Sequence, residues 1–310
     1  MTSALAFGWS KARSTPRLGQ PLAWVLIGIL GAVDLLWSLI AELSIGSIER
    51  PIAAIIGLLF LSATYRRRSS VIADTAEAAA LWVAFTLAGC VLTYLCATAA
   101  WPLQDRVLAR LDRAMMFDWL GYYRFATSWP ALHGLLAAAY ASLLPQLLFA
   151  ILCLPMLELS DRGGELILLA IMTLVPAALI SLVCPAIGPL DGDHASYVPH
   201  LLAIRTTGPW HFSVSSLQGI IVMPSYHTVM AILFTHAFRR TGWIGWGIAG
   251  LNAVMLPSIL VIGPHYLIDV IAGAGLTLLC ILGLRIIRRC GRASGCLGPK
   301  DQPARHLPIA

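Results

Sequence analysis

Two short stretches carry residue types that could do chemistry together, 223–228 (MPSYHT) and 263–270 (GPHYLIDV). Each sets a histidine, His227 or His265, in the first turn of an apolar run. His265 and Asp269 are four residues apart, so on a helix the carboxylate can accept the imidazole N–H, fix the tautomer and raise the basicity of the other ring nitrogen. That is the support a histidine nucleophile or base needs. Pro224 suits a helix start and Ser225 an N-cap, which leaves free N–H groups and the positive end of a helix dipole beside His227. An anionic group can bind there.

The elements that position these residues must be membrane helices. Of 310 residues, 58% are hydrophobic and 12% charged, about half the charge of a soluble domain, which excludes a water-soluble globule. A span needs about 20 apolar residues, and apolar runs lie at 22–41, 51–65, 78–100, 131–157, 166–184, 225–238, 243–262 and 266–287, the second and sixth short and either starting below headgroup level or borrowing flanking apolar residues such as 45–48 or 219–223. The expected fold is therefore all-α, a polytopic helix bundle of about eight spans. The first run follows Lys11, Arg13 and Arg17 but is too long for a secretory leader and contains Asp34, so it reads as a retained helix. With both termini cytoplasmic, only Arg50, Arg106, Arg110, Arg113, Arg124 and Arg205 of the 21 bases fall outside. The positive-inside rule favours that topology, with both histidines opening on the outer face of what is expected to be a bacterial inner membrane.

The remaining features are read against this frame. Stretch 103–119 (LQDRVLARLDRAMMFDW) sets Val107, Leu108, Leu111, Met115 and Trp119 at helical spacing with charges opposite, the pattern of an interfacial amphipathic helix and possible lid. Pro, Gly and Asp mark 185–199 as a loop, and the tail is polar and Gly-rich. The net charge of +6 sits in short flanks rather than an aromatic-laced groove, so nucleic acid is not an expected partner. Seven cysteines without a Cys-x-x-Cys read as packing residues. No cluster has metal-site spacing, and no cofactor is expected. His133 and His236 suit helix–helix hydrogen bonds, and Trp210, Trp243 and Trp246 an interfacial belt. Asp34 and Asp269 are the acids inside predicted spans, and each is a site candidate or a buried hydrogen-bonding group. Three functions compete: histidine-based nucleophilic chemistry on an anionic group, a proton-relaying transporter or flippase, and a bis-histidine haem protein.

Pro-Ser-Tyr-His at 224–227 and Gly-x-His-x-x-x-Asp at 263–269 resemble the second and third signatures of the type 2 phosphatidic acid phosphatase superfamily. The resemblance implies a six-span catalytic core over 75–290, preceded by a cytoplasmic N-terminus and two added spans in 1–74 and followed by a disordered cytoplasmic tail in 291–310. It implies a phosphohistidine at His265, oriented by Asp269, with His227 protonating the leaving oxygen, no metal, and a lipid substrate with a phosphate-containing headgroup. The first signature, which begins with lysine, is missing, because the two lysines, Lys11 and Lys300, lie in the tails. Ile259 stands where the family carries an arginine six residues before the second histidine. Both absences resemble the inositol phosphorylceramide synthase (aureobasidin-resistance) branch. Arg205 is then the expected replacement cation, with Ser225 and Tyr226 as further phosphate ligands and Arg124 and His200 as weaker substitutes. Transfer of a headgroup, inositol phosphate among the candidates, to another lipid alcohol is favoured over hydrolysis of a phosphomonoester.

Overall fold

Pro145 decides how one long apolar run folds. Its ring would clash with the carbonyl four residues earlier and it has no N–H to donate, so the expected span 131–157 is two helices, α6 and α7, bent by 45°. In the computed structural model of the chain, which describes residues 19–189, 196–206 and 208–295, the elements run α1 (Gly19–Ala41), β1 (Leu43–Gly46), α2 (Glu49–Tyr65), α3 (Ser70–Thr98), α4 (Asp105–Ala114), α5 (Trp119–Ser128), α6 (Pro130–Ala141), α7 (Leu143–Met156), α8 (Ser160–Val183), α9 (Val198–Ile204), β2 (Trp210–Ser213), α10 (Tyr226–Ala237), α11 (Trp243–Ser258) and α12 (Leu267–Gly295). The fold is an all-α bundle.

Helix α8 forms the centre, packed against α1, α3, α10 and α12. Its Ala170, Ala177 and Ala178 are wholly buried, small side chains that let neighbouring helices approach closely. Helices α1 and α2 both lie against α3. At the opposite chain position from these contacts, the link after α1 forms β1, which pairs in parallel with β2 from Leu43↔Trp210 to Gly46↔Ser213. A second apolar core, with Leu43, Tyr94, Leu108, Leu201, Ile204, Val222 and Tyr266, ties this two-stranded ribbon to α3, α4, α9 and the start of α12.

Several sequence expectations change. Four helices, α1, α3, α8 and α12, are long and apolar enough to cross a membrane, and the bent α6–α7 pair makes up to five. Helices α10 and α11, at 12 and 16 residues, are shorter than their expected spans, and α2, at 17, is also short of a full crossing. For α10 the reason is local: residues 219–225 ahead of it are irregular yet Ile220 and Val222 are buried, and non-helical backbone is tolerated in such a bundle when protein encloses it. The amphipathic stretch is also divided, α4 ending at Ala114 and α5 starting under the cap of Asp118, whose side chain accepts from Gly121 N at 3.0 Å. Of its five apolar positions Leu108 alone is fully buried, while the charged Asp112 is 2% exposed; the inward side is thus partly acidic. The expected loop 185–199 contains the start of α9, and α12 continues to Gly295, beyond the expected start of the tail at 291. Residues 1–18 and 296–310, with Lys11, Cys296 and Lys300, lie outside the described residues. Trp243 and Trp246 are exposed as a belt requires, but Trp210 packs into the second core through β2.

Candidate active site

The site is built where the first turn of α10 crosses the first turns of α12. Ser225 caps α10 from an extended backbone, its Oγ accepting from Thr228 N at 3.4 Å. The same residue's N–H donates to Asp269 O at 3.0 Å, so one backbone bond joins the two signature segments. Gly273 makes the crossing possible, because a Cβ there would lie 2.5 Å from Ser225 O and 3.1 Å from Thr228 Cβ.

The two histidines meet at this joint. Their ring centroids are 6.4 Å apart with planes at 62°. His265 Nδ1 lies 3.5 Å from Asp269 Oδ2, an ion-pair distance that is long for a hydrogen bond, while Tyr266 N donates to the same oxygen at 2.8 Å. Asp269 is fully buried and His265 is 4% exposed. Asp269 Oδ1, His265 Nδ1 and Thr228 Oγ1 are buried without a hydrogen-bond partner. Three orphaned polar atoms at one joint make it the candidate site, since buried polar groups are otherwise paired. His265, in the link ahead of α12, has its pKa pushed down to about 4 by burial, a hydrogen bond with the Val222 backbone opposing part of that shift. Its imidazole is therefore neutral at pH 7, as a nucleophile must be.

Sequence reasoning missed three supports. Tyr140 of α6 stacks on His227, centroids 4.2 Å apart and planes at 15°, which fixes the ring's plane. Asp112 of α4 accepts from Leu267 N at 2.8 Å and Ile268 N at 3.0 Å, capping α12 in trans and occupying N–H groups that an anion would otherwise take. Asp105, on the same side of α4, accepts from Ile187 N and from Gly188 N at 2.8 Å, and from Tyr266 OH at 3.3 Å. The signal was present: Asp105, Leu108 and Asp112 fall three and four apart, one face of a helix.

The proposed phosphate ligands are placed unevenly. Ser225 is in the joint. Tyr226 points away from it, its hydroxyl donating to Ala170 O on α8 at 2.9 Å. Arg205 caps the end of α9, donates to Trp101 O at 2.6 Å and makes no hydrogen bond or ion pair with His227, His265 or Asp269 among the described residues; its Nη1 is buried and unpartnered. Arg124 sits on α5, and His200 Nδ1 shares a 2.7 Å hydrogen bond with Tyr94 OH. Asp34, beside Cys96, is buried with both oxygens unpartnered. His236 bridges α10 to α8 as expected, Nε2 lying 2.9 Å from Glu165 Oε1. No group of three or more His, Cys, Asp or Glu suited to a metal occurs among the described residues.

The fold and the joint together define a helical, multi-pass membrane protein with a carboxylate-supported pair of histidines. Residues 106–283, more than half of the chain, match the PAP2 superfamily, and the chain belongs to that superfamily. Its chemistry is thus of the lipid phosphoester type carried out by phosphatases and phosphotransferases, on phosphorylated lipids. No curated protein and no solved structure matches the chain.

Proposed function

We propose that this protein is a lipid phosphotransferase that moves a phosphate-containing headgroup between lipids through a phosphohistidine at His265. The observation that carries the reading is the 6.4 Å separation of the two imidazoles at the α10–α12 joint, a gap that one phosphate can bridge with hydrogen bonds of about 2.9 Å. In the first half-reaction a ring nitrogen of His265 attacks phosphorus, the bond from phosphorus to the leaving alkoxide breaks, and His227 delivers its proton to that oxygen. Asp269 holds the His265 ring and balances the positive charge that develops on it. In the second half-reaction an acceptor alcohol gives its proton to His227 while its oxygen attacks phosphorus and the nitrogen–phosphorus bond breaks.

Transfer rather than hydrolysis is supported by the charge around the joint. Asp269 lies within it, and Asp105 and Asp112 bond the residues beside it. The described residues bring no cation into contact with either histidine. Such surroundings suit a phosphodiester, with one negative charge, better than a phosphomonoester, with nearly two. Arg205, through its unpartnered Nη1, is the cation assigned to a phosphate oxygen. The acidic setting parallels the missing signature cations and supports placement in the inositol phosphorylceramide synthase-like branch. An outer-face site is supported by Arg162, Arg239 and Arg288 gathering at the far end of α8, α10 and α12, as the positive-inside rule requires of a cytoplasmic end.

The test is lipid extraction and mass spectrometry of a deletion strain, restored with wild type or with His265→Ala, together with purified protein given phosphatidic acid. Transfer predicts a lipid product that depends on His265 and little inorganic phosphate. Rapid phosphate release from phosphatidic acid would replace transfer by hydrolysis and leave the histidine chemistry standing.

A further inference from the structure

Helix α4 has two faces with different tasks. Its inner side, Asp105, Leu108 and Asp112, holds the 187–188 link and the start of α12. Its outer side carries Arg106, Arg110 and Arg113, four and three residues apart and all exposed. None of the three pairs with an acid among the described residues; Arg110 Nε donates only to Arg106 O, at 3.1 Å. Between them Val107, Leu111 and Met115 are also exposed, at 40%, 43% and 37%. Three unpaired guanidinium groups thus share about 10 Å of helix with exposed apolar side chains. The protein supplies no complement to that surface.

The position of α4 in the chain narrows what can. It joins the end of α3 to α5 and α6, and both α3 and the α6–α7 pair are apolar enough to cross a membrane. Helix α4 therefore lies where spans end, at headgroup depth. A basic, apolar-interleaved helix face at that depth fits phosphate groups over acyl chains. A soluble acidic protein would satisfy the arginines but leave the three apolar side chains without a reason.

We propose that the outer face of α4 docks on an anionic phospholipid surface, with Arg106, Arg110 and Arg113 on lipid phosphates and Val107, Leu111 and Met115 between lipids, and that docking steadies the start of α12 through Asp105 and Asp112. Lipid charge then regulates the site from a surface that touches no reacting atom. The docking itself is independent of the phosphotransfer reading; its effect on turnover rests on that reading.

The full chain is placed in nanodiscs of neutral phosphatidylcholine, with or without about one third phosphatidylglycerol, and hydrogen exchange of residues 104–118 is followed beside turnover. Anionic lipid is expected to slow exchange in α4 by about fivefold per arginine engaged, the equivalent of about 1 kcal/mol each. Molar salt should reverse the effect, because screening shortens the reach of surface charge. The triple variant R106Q/R110Q/R113Q should show no response to anionic lipid while keeping the turnover seen in neutral discs. Inorganic phosphate added to neutral discs should change nothing; an equal response to it would assign the face to a free ion and overturn the proposal. Exchange in α4 that ignores lipid charge, or a triple variant that responds as wild type does, overturns it too. Protection of α4 by anionic lipid in a protein with no turnover on any lipid phosphoester would uphold docking and count against the phosphotransfer reading alone.

Discussion

Replacing Gly273 by alanine isolates the geometry on which the site depends. The added methyl would sit 2.5 Å from Ser225 O and 3.1 Å from Thr228 Cβ, where ordinary contact begins at 3.4 Å. Backbone oxygen cannot swing aside as a side-chain end can, so α10 and α12 must part by roughly 1 Å, the size of the overlap. The 3.0 Å bond from Ser225 N to Asp269 O then lengthens past hydrogen-bonding range, and His227 moves with one helix while Asp269 moves with the other. Misplacement of reacting groups by about 1 Å costs roughly 100-fold in rate, or about 2.7 kcal/mol. Stability should change far less, because alanine gains about 1 kcal/mol of helix propensity against about 1–3 kcal/mol of overpacking. Gly275→Ala is the control, since nothing lies within 4 Å of its Cβ position: it should keep full activity. Initial rates on a lipid phosphoester in proteoliposomes and Tm in detergent measure both quantities. Wild-type turnover in Gly273→Ala, with the fold intact, would refute the claim that the crossing distance sets the site.

His265→Ala should abolish turnover, whereas Asp269→Asn should leave a residue of it, because the nucleophile carries the path and the carboxylate orients it; single-turnover assays separate the two, and an active His265→Ala would remove it as nucleophile. With its pKa lowered to about 4 by burial, His265 stays uncharged across pH 5–8, so the nucleophile imposes no acid limb on the rate there. The linked stability effect runs the other way: between pH 6.5 and about 4 the unfolded chain takes up a proton that the native imidazole refuses, so Tm should fall through that window, and less steeply in His265→Gln. Activity should survive excess EDTA, the described residues offering no cluster suited to a metal. Arg205→Ala should cost about 2–4 kcal/mol in kcat/KM if its free Nη1 meets a phosphate oxygen, and Arg205→Lys should recover part of it; an unchanged kcat/KM would point to Arg124 instead.

What could be read from the sequence was periodic and local. Apolar runs located every major helix, because burying a helix in lipid demands an uninterrupted stretch of side chains. The histidine segments announced themselves through a cap, a proline and an i,i+4 pair, all short-range features. Tyr140, Asp105 and Asp112 escaped because their meaning is tertiary: each acts on an element more than 80 residues away. The amphipathic pattern of α4 gave an interfacial helix but not what its acids do: Asp105 and Asp112 turn inward to meet orphan N–H groups. Arg205 was chosen for charge and side of the membrane, which specify a face but not an address on it. The length of α10 was read almost as it stands, 225–238 against Tyr226–Ala237, because Pro224 and Ser225 mark its start.

Glu165 makes the far end of the bundle a pivot. From α8 it holds His236 of α10 at 2.9 Å, Arg288 of α12 at 2.9 Å and Arg239 at 3.5 Å. Three helices are thereby pinned together at one end, while at the other one backbone bond, Ser225 N to Asp269 O, joins α10 to α12, with Asp269 fully buried and His227 partly exposed. Wider access for a lipid headgroup would come from the helices moving apart, and the ion cluster would dictate the kind of motion. From Leu267 to Arg288 the lever is about 32 Å long at 1.5 Å per residue. A tilt of about 5° about the pivot therefore opens roughly 3 Å at the histidines while leaving the Glu165 contacts almost unmoved. A clamp at one end would thus convert a small rotation into a working gap at the other.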